Sequence, residues 1–203
     1  MIPVWTIPVI AYLLGSIPFG LLIVKLGGGG DVRESGSGNI GAANVTRVAG
    51  LVPGILTLLL DAGKGYLAVW LARRISGGSI RWITAAAVAV VLGHMFSVWL
   101  RFRGGKGVST AFGAYIPISG MAVAAAAVVW IVVAVFWRYV SLASIAAAAA
   151  LPLLIYELYA PGFAPPRVLS LATVFVSVLV VWKHRANMQR LIAGTESQLK
   201  LKR

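Results

Sequence analysis

The chain is 203 residues long, 60% hydrophobic and only 11% charged, with a mean hydropathy of +0.91, whereas a soluble domain carries about 25% charged residues. It has no cysteine, which excludes disulfide staples, thiol catalysis and thiolate metal sites. The net charge of +13 would point to nucleic acid in a soluble protein; here the basic residues sit mainly between apolar runs, a pattern of membrane orientation and anionic ligands.

A spanning helix needs about 20 mainly apolar residues. Apolar stretches over 3–26, 48–72, 82–100, 108–119, 120–138, 140–160 and 168–183 predict an all-α polytopic bundle of about seven helices in one catalytic domain, 1–203. The first stretch reads as a span rather than a cleaved signal. It lacks a basic leader, and Gly15-Ser16-Ile17-Pro18 offers no convincing cleavage site. Pro18 predicts a kink, with Ser16 helping to satisfy the freed backbone groups.

The first polar loop reads Asp31-Val-Arg-Glu-Ser-Gly-Ser-Gly-Asn-Ile-Gly-Ala-Ala-Asn-Val-Thr-Arg47. Gly36, Gly38 and Gly41 allow close backbone approach, and successive amides in such a loop can cradle an anion. Ser35, Ser37, Asn39 and Asn44 offer neutral donors, and Arg47 offers a two-pronged fork for phosphate. Gly27–Gly30 reads as passive linker; interleaved asparagines and a terminal arginine do not.

In the second span, Asp61 and Lys64 are three residues apart, as an internal ion pair requires. His94 ends the third span and is a candidate substrate ligand, or a support for one. The second loop, Arg101-Phe-Arg-Gly-Gly-Lys-Gly-Val-Ser-Thr110, runs straight into an apolar stretch. Glycine amides at a helix start, here from Gly104, Gly105 and Gly107, suit an anion, and Lys106 adds a point charge. The Walker A spacing is absent: position 100 is Leu and Lys106 is followed by Gly107.

Residues 108–137 form either one long helix or two broken near Pro117 and Gly120. The alanine runs at 122–127 and 146–150 are packing surfaces that let helices approach. The last span ends in Lys183-His-Arg-Ala-Asn-Met-Gln-Arg190, where His184 and Asn187 share a face if the tail is helical, and Glu196 pairs with a cation to fix the tail.

Seven spans put the termini on opposite sides. With the N-terminus outside, thirteen of the 18 Lys and Arg, including Lys200, Lys202 and Arg203, fall on inside segments and four fall outside. Both loops and the tail then face the cytoplasm. Arg73, Arg74 and Arg81 are a local exception.

The ordered set of motifs resembles the PlsY family, the acyl-phosphate:glycerol-3-phosphate acyltransferases of bacterial phospholipid synthesis. The matching residues are Gly15-Ser-Ile-Pro-Phe-Gly20, Gly36-Ser-Gly-Asn-Ile-Gly41, Asn44-Val-Thr-Arg47, Asp61 with Lys64-Gly65, Gly93-His94 and Phe102-Arg-Gly-Gly-Lys-Gly-Val108. His184, Asn187, Arg190-Leu191, Gly194 and Glu196 complete the set. Departures are Ala43 where Thr is common, Ser97 where Pro is common and Ser109 where Ala is common.

The resemblance implies a seven-helix enzyme of the bacterial inner membrane with no metal, no cofactor and no direct use of acyl-CoA or acyl carrier protein. It implies catalytic roles for Ser37, Arg47, Lys106, His184 and Asn187, phosphate binding at Gly104 to Val108, and a mainly structural Glu196. The product is lysophosphatidic acid, and a soluble acyl-phosphate synthase of the PlsX type is the implied functional partner. The expected binding residues are Ser35, Gly38, Asn39, Asn44, His94, Gly104, Gly105 and Gly107, with Asp61, Lys64 and Glu196 structural. Acyl phosphate, glycerol 3-phosphate and membrane lipid are the expected partners, and nucleic acid is not.

An acyl phosphate is already activated, so holding two anions together supplies much of the rate. This suits a site of Arg, Lys, Gly, Ser and Asn, in a chain with only five carboxylates. Direct attack by the glycerol phosphate hydroxyl, with its proton passing to a substrate phosphate oxygen, is the expected route. His184 or His94 as base, and an acyl-Ser37 intermediate, remain alternatives. An organophosphate transporter would use similar cationic loops, but no internal repeat is evident. The His-to-Asp spacing of soluble-type acyltransferases is absent, since Trp99 and Gln189 stand five positions after His94 and His184. Asp31 and Asp61 are not clustered as magnesium ligands are.

Overall fold

The computed structural model describes residues 3–160 and 162–199; Lys200, Lys202 and Arg203 lie outside the described residues. The described residues form helices and short 3-10 turns, with no named strand. The chain divides into two compact units, Met1–Ile118 and Ser119–Arg203.

The first unit holds α1 (Ile7–Ser16), α2 (Phe19–Leu26), α3 (Ala42–Ala49), α4 (Leu51–Ile75), α5 (Ile80–Met95) and α6 (Val108–Tyr115). Three of its segments, Val4–Leu26, Leu51–Ile75 and Ile80–Leu100, are long and apolar enough to cross a membrane. On α4 the usual pattern is inverted. Leu58, Leu59 and Leu60 are exposed while Thr57, Asp61 and Lys64 are buried, as expected where lipid covers the apolar face and protein covers the polar one.

Pro18 breaks the first span between α1 and α2, because proline has no N–H and its ring crowds the preceding turn. The freed carbonyls are satisfied from a distance. Ser97 Oγ donates to the Ser16 carbonyl at 2.6 Å, and Lys64 Nζ donates to the Ile17 carbonyl at 2.7 Å. This corrects the role expected of Ser16, whose own buried hydroxyl makes no hydrogen bond among the described residues.

Glycines set the helix crossings. A Cβ on Gly15 would overlap the Val90 backbone, and one on Gly93 the Tyr12 carbonyl, so α1 and α5 touch main chain to main chain. Gly65 meets Thr110 and Ala114, and Gly113 meets Ala62, so α4 and α6 do the same.

The stretch 108–119 departs from a full span. Its helix α6 has 8 residues, about 12 Å against a hydrocarbon core of about 30 Å. The preceding loop folds back against the end of α5, where the Gly104 and Gly105 amides donate to the Met95 and His94 carbonyls at 3.2 and 2.9 Å. At the other end, Arg73 Nη1 donates to the Pro117 carbonyl at 3.2 Å, beside the end of α4. The segment therefore begins part-way along α4 and finishes where α4 finishes. One side of it is apolar because protein covers it, with Thr110, Ala111, Gly113, Ala114 and Tyr115 buried, while Phe112 and Ile116 are exposed.

The second unit holds α7 (Gly120–Trp137), α8 (Val140–Leu158), α9 (Arg167–Lys183) and α10 (Arg185–Ile192). Residues 108–137 are thus two helices, parted at 116–119. The first alanine run packs as expected, with Ala122 and Ala126 buried, whereas in the second, 146–150, no residue is buried and Ala149 is exposed. Ser119 Oγ donates to the Leu158 carbonyl at 3.2 Å and Trp130 Nε1 to Ser144 Oγ at 3.1 Å. The helices α9 and α10 meet at 53°. By length and composition, five described helices qualify as spans, or six with this bent pair counted.

Candidate functional site

The first loop is a folded structure and not a tether. Val32, Ile40 and Val45 join Leu21 and Val24 of α2, together with Leu100, in one buried apolar cluster. Above it, Asn44 organises the backbone. Its Nδ2 donates to the carbonyls of Val32, Ser35 and Asn39 at 3.0, 3.1 and 2.8 Å. Its Oδ1 accepts the Ser37 amide at 2.7 Å and Arg47 Nη1 at 3.5 Å. Asn44 was expected to face the phosphate; its amide is instead turned into the loop and 2% exposed.

Gly36 and Gly38 flank Ser37 with φ of +62° and +68°, the left-handed region that costs other residues about 1–2 kcal/mol. A side chain on Gly36 would also strike Asn44 Oδ1. The result is an exposed Ser37 with its amide held from below. Gly41 begins α3, and Asn39 Oδ1 accepts the Gly41 amide at 2.8 Å. Arg47 lies two turns into α3, exposed, on the side of Asn44. Asp31 is gripped by Arg33, whose hydrogen bonds hold its carboxyl down at about 2. Ser35 lines a hollow of about 400 Å³ beside Asp31 and Glu34, a poor setting for a phosphate.

The second loop is tied at several points. Tyr12 Oη donates to the Phe96 carbonyl at 2.6 Å, and the Phe102 amide returns to the Ser97 carbonyl at 2.8 Å. The glycines here work differently from expectation. The Gly104 and Gly105 amides are bonded to α5 and do not point at a ligand. A Cβ on Gly104 would strike the His94 carbonyl, and one on Gly105 the His94 ring. Gly107, at φ +84°, rests on Met95 and Val91. These residues let the loop press against α5. The open amides are those of α6 itself: its first bond runs from Ala111 N to Gly107 O, which leaves the amides of 108–110 at a positive helix end. Lys106, half-buried, immediately precedes that end.

Beneath the loops, Asp61, Lys64 and His94 are buried together. Lys64 Nζ is 2.7 Å and His94 Nδ1 3.5 Å from Asp61 Oδ1. The expected ion pair is present, and His94 joins it. Wedged between Asp61 and Gly105 and 3% exposed, His94 supports the loop rather than facing a ligand. A cleft of about 480 Å³ is lined by Arg33 from the first loop and by Trp99, Leu100, Arg101 and Arg103 from the second. The two loops are therefore neighbours, although none of the five expected catalytic residues lines this cleft.

In the second unit, His184 stands at the bend between α9 and α10, and both it and Asn187 are buried. His184 Nδ1 is 2.8 Å from the Val180 carbonyl. A carbonyl only accepts, so Nδ1 carries the proton, and in the neutral ring Nε2 carries the lone pair. Asn187 Nδ2 donates to Glu196 Oε1 at 2.6 Å, and Arg190 Nε to Oε2 at 2.7 Å. Burial pushes the Glu196 carboxyl up, but the hydrogen bonds from Asn187 and Arg190 outweigh it and hold it below the ordinary carboxylate range. Glu196 thus fixes the tail, with Arg190 as its cation. The tail is latched where Leu199 N donates to the Arg138 carbonyl at 2.7 Å. Tyr12 was not singled out by the sequence, and Ser97 only as a departure from the family pattern, since lone hydroxyls in apolar runs carry no pattern. No cluster of three potential metal ligands occurs among the described residues.

The profile of the family described as glycerol-3-phosphate acyltransferase matches residues 5–194. A relative named glycerol-3-phosphate acyltransferase from Geotalea daltonii is 48% identical over 190 residues, covering 94% of each chain. One from Trichlorobacter lovleyi is 49% identical over 194 residues, again covering 94% of each. The crystal structure of PlsY, described as an integral membrane glycerol 3-phosphate acyltransferase in its glycerol 3-phosphate form, superposes with a TM-score of 0.90 at 37% identity, covering 97% of this chain and 96% of that one. Its lysophosphatidic acid form gives 0.87 at the same identity, covering 97% and 95%.

Proposed function

The chain belongs to the glycerol-3-phosphate acyltransferase family and is an integral membrane acyltransferase, and from that premise we propose that it moves the acyl group of an acyl phosphate onto glycerol 3-phosphate. The products are lysophosphatidic acid and inorganic phosphate. The observation that most supports this reading is the pairing of two anion-seeking loops on one apolar cluster. One presents Ser37 and Arg47 around the Asn44 hub. The other presents Lys106 and the amide end of α6.

In this mechanism Arg47 and Lys106 neutralise the two phosphates, and Ser37 orients the acyl phosphate. Asn187 and His184 engage glycerol 3-phosphate. The glycerol hydroxyl oxygen attacks the acyl carbon, the bond from that carbon to the phosphate oxygen breaks, and phosphate leaves with the electron pair. The hydroxyl proton ends on the departing phosphate. Three features favour this route. The donor brings its own leaving group, His94 is walled off between Asp61 and Gly105, and Glu196 is held by Asn187 and Arg190. Positioning is then the main contribution of the protein.

The charge bias of the sequence supports an inner-membrane orientation with the N-terminus outside and both loops and the basic tail cytoplasmic. A soluble acyl-phosphate synthase is the natural supplier of the donor. The test is formation of lysophosphatidic acid by purified protein given glycerol 3-phosphate and acyl phosphate, with phosphate release followed alongside, and with acyl-CoA, which would expel CoA instead, as control donor. Lysophosphatidic acid formation with acyl phosphate alone among donors, and its loss in Arg47→Ala and Lys106→Ala, is the expected result. Turnover with acyl-CoA would reject the proposed donor.

A further inference from the structure

Buried charges inside a membrane bundle are costly, and an ion pair adds little stability over apolar side chains of similar size. The triad of Asp61, Lys64 and His94 links separate pieces of the structure, because Asp61 joins Lys64 and His94 and these two end on different segments.

Lys64 reaches across to α1. Its Nζ donates to the Ile17 carbonyl at 2.7 Å and lies 5.5 Å from the centre of the Phe19 ring. It therefore grips the break that aims α2. Gly20, next along α2, packs under the Ile40 carbonyl so closely that a Cβ there would overlap it. Ile40 adjoins Gly41, where the helix bearing Asn44 and Arg47 begins. On the opposite side, Asp61 lies 3.5 Å from His94 Nδ1, and the far edge of that ring rests on Gly105. The His94 carbonyl also binds the Gly105 amide at 2.9 Å. Lys106 is the next residue.

We propose that Asp61, Lys64 and His94 are positioning residues for acyl transfer, a buried brace that fixes the separation of the Ser37–Arg47 loop from the Lys106 loop. This rests on the reading that those two loops hold the two phosphates. The brace touches neither reactant. It acts through Ile17 and α2 on one loop and through Gly105 on the other. Reactants held by separate loops react well only at one spacing, and a misplacement of about 1 Å can cost about 10²-fold in rate.

The chain has no cysteine, so spin labels can be attached at Ala43→Cys on α3 and Arg103→Cys on the second loop, both exposed positions. In that background, Asp61→Leu with Lys64→Met replaces the ion pair by an apolar pair that the bundle can accept. The expected result is an unchanged or raised melting temperature, a displaced or broadened label-to-label distance, and kcat/KM lowered about 10- to 100-fold. His94→Phe, which fills the ring volume but drops the Asp61 contact, should disturb the same distance and serves if the double variant does not fold. Wild-type distances together with wild-type kcat/KM in a folded variant overturn the brace. Arg47→Ala and Lys106→Ala are measured alongside. If these stay active the reading of the loops fails; if they are dead while the brace variants are fully active, the brace alone fails.

Discussion

The side-chain oxygen of Asn44 accepts the backbone amide of Ser37 at 2.7 Å, seven residues away. That bond turns a glycine-rich segment into a fixed cradle, because the amide group of the same side chain holds three carbonyls of the loop. Asn44→Asp keeps the shape but replaces two donors with acceptors facing those carbonyls. Each buried polar group left unmatched costs about 1–3 kcal/mol. The variant should lose nearly all turnover, and residues 32–39 should become open to proteolysis while the spans stay protected. A wild-type digestion pattern would show that another contact holds the loop.

Arg47→Lys retains the charge but loses the fork that contacts phosphate oxygens in pairs. A loss of about 10- to 100-fold in kcat/KM is expected, the worth of one charge-assisted hydrogen bond. Steady-state kinetics against both substrates measures it, and an unchanged value would remove Arg47 from phosphate recognition.

Gly105→Ala places a methyl group against the His94 ring, which cannot retreat because Asp61 stands behind it. Overpacking of this kind costs about 1–3 kcal/mol. The melting temperature should fall, and the KM of a phosphate substrate should rise. His94→Ala, which opens the space, should restore part of the melting temperature in Gly105→Ala; failure to do so would place the clash elsewhere.

The Glu196 carboxyl is held below its ordinary value of 4.5 by Asn187 and Arg190. A depressed folded-state value stabilises above the unfolded one and is lost as pH falls through the folded one. The tail should therefore stay latched through neutral and mildly acidic pH and release only below the usual carboxylate range. Mobility of a label at Gln198→Cys, followed against pH, checks this. Glu196→Gln should show a mobile tail at every pH, and release near neutrality in the parent would contradict the assignment.

Helix positions were legible in the sequence because hydropathy reports them directly, and each expected stretch from 3–26 to 168–183 has its helix. The length of α6 was not legible, because Ala111, Gly113, Ala114 and Tyr115 are apolar against protein in the same way that a span is apolar against lipid. The Asp61–Lys64 pair was readable from spacing; its third member, His94, comes from another helix and leaves no periodic trace. Asn44, Gly104 and Gly105 show the limit most clearly. Residue type announced polar or glycine chemistry in a loop, but not that these groups face their own backbone instead of a ligand. The pairing of Glu196 with a nearby cation was anticipated and is made by Arg190.

The brevity of α6 bears on how the enzyme is made. Eight residues cannot partition stably into a bilayer unaided. Their resting place, against Ala62 and Gly65, is supplied by a helix synthesised much earlier. Sequential biogenesis is the expected consequence, with α4 and α5 inserted as a hairpin before the nascent chain tucks this piece alongside them. A substitution such as Gly65→Val would then act as an assembly defect, leaving newly made protein for quality control to destroy rather than a stable but slow catalyst.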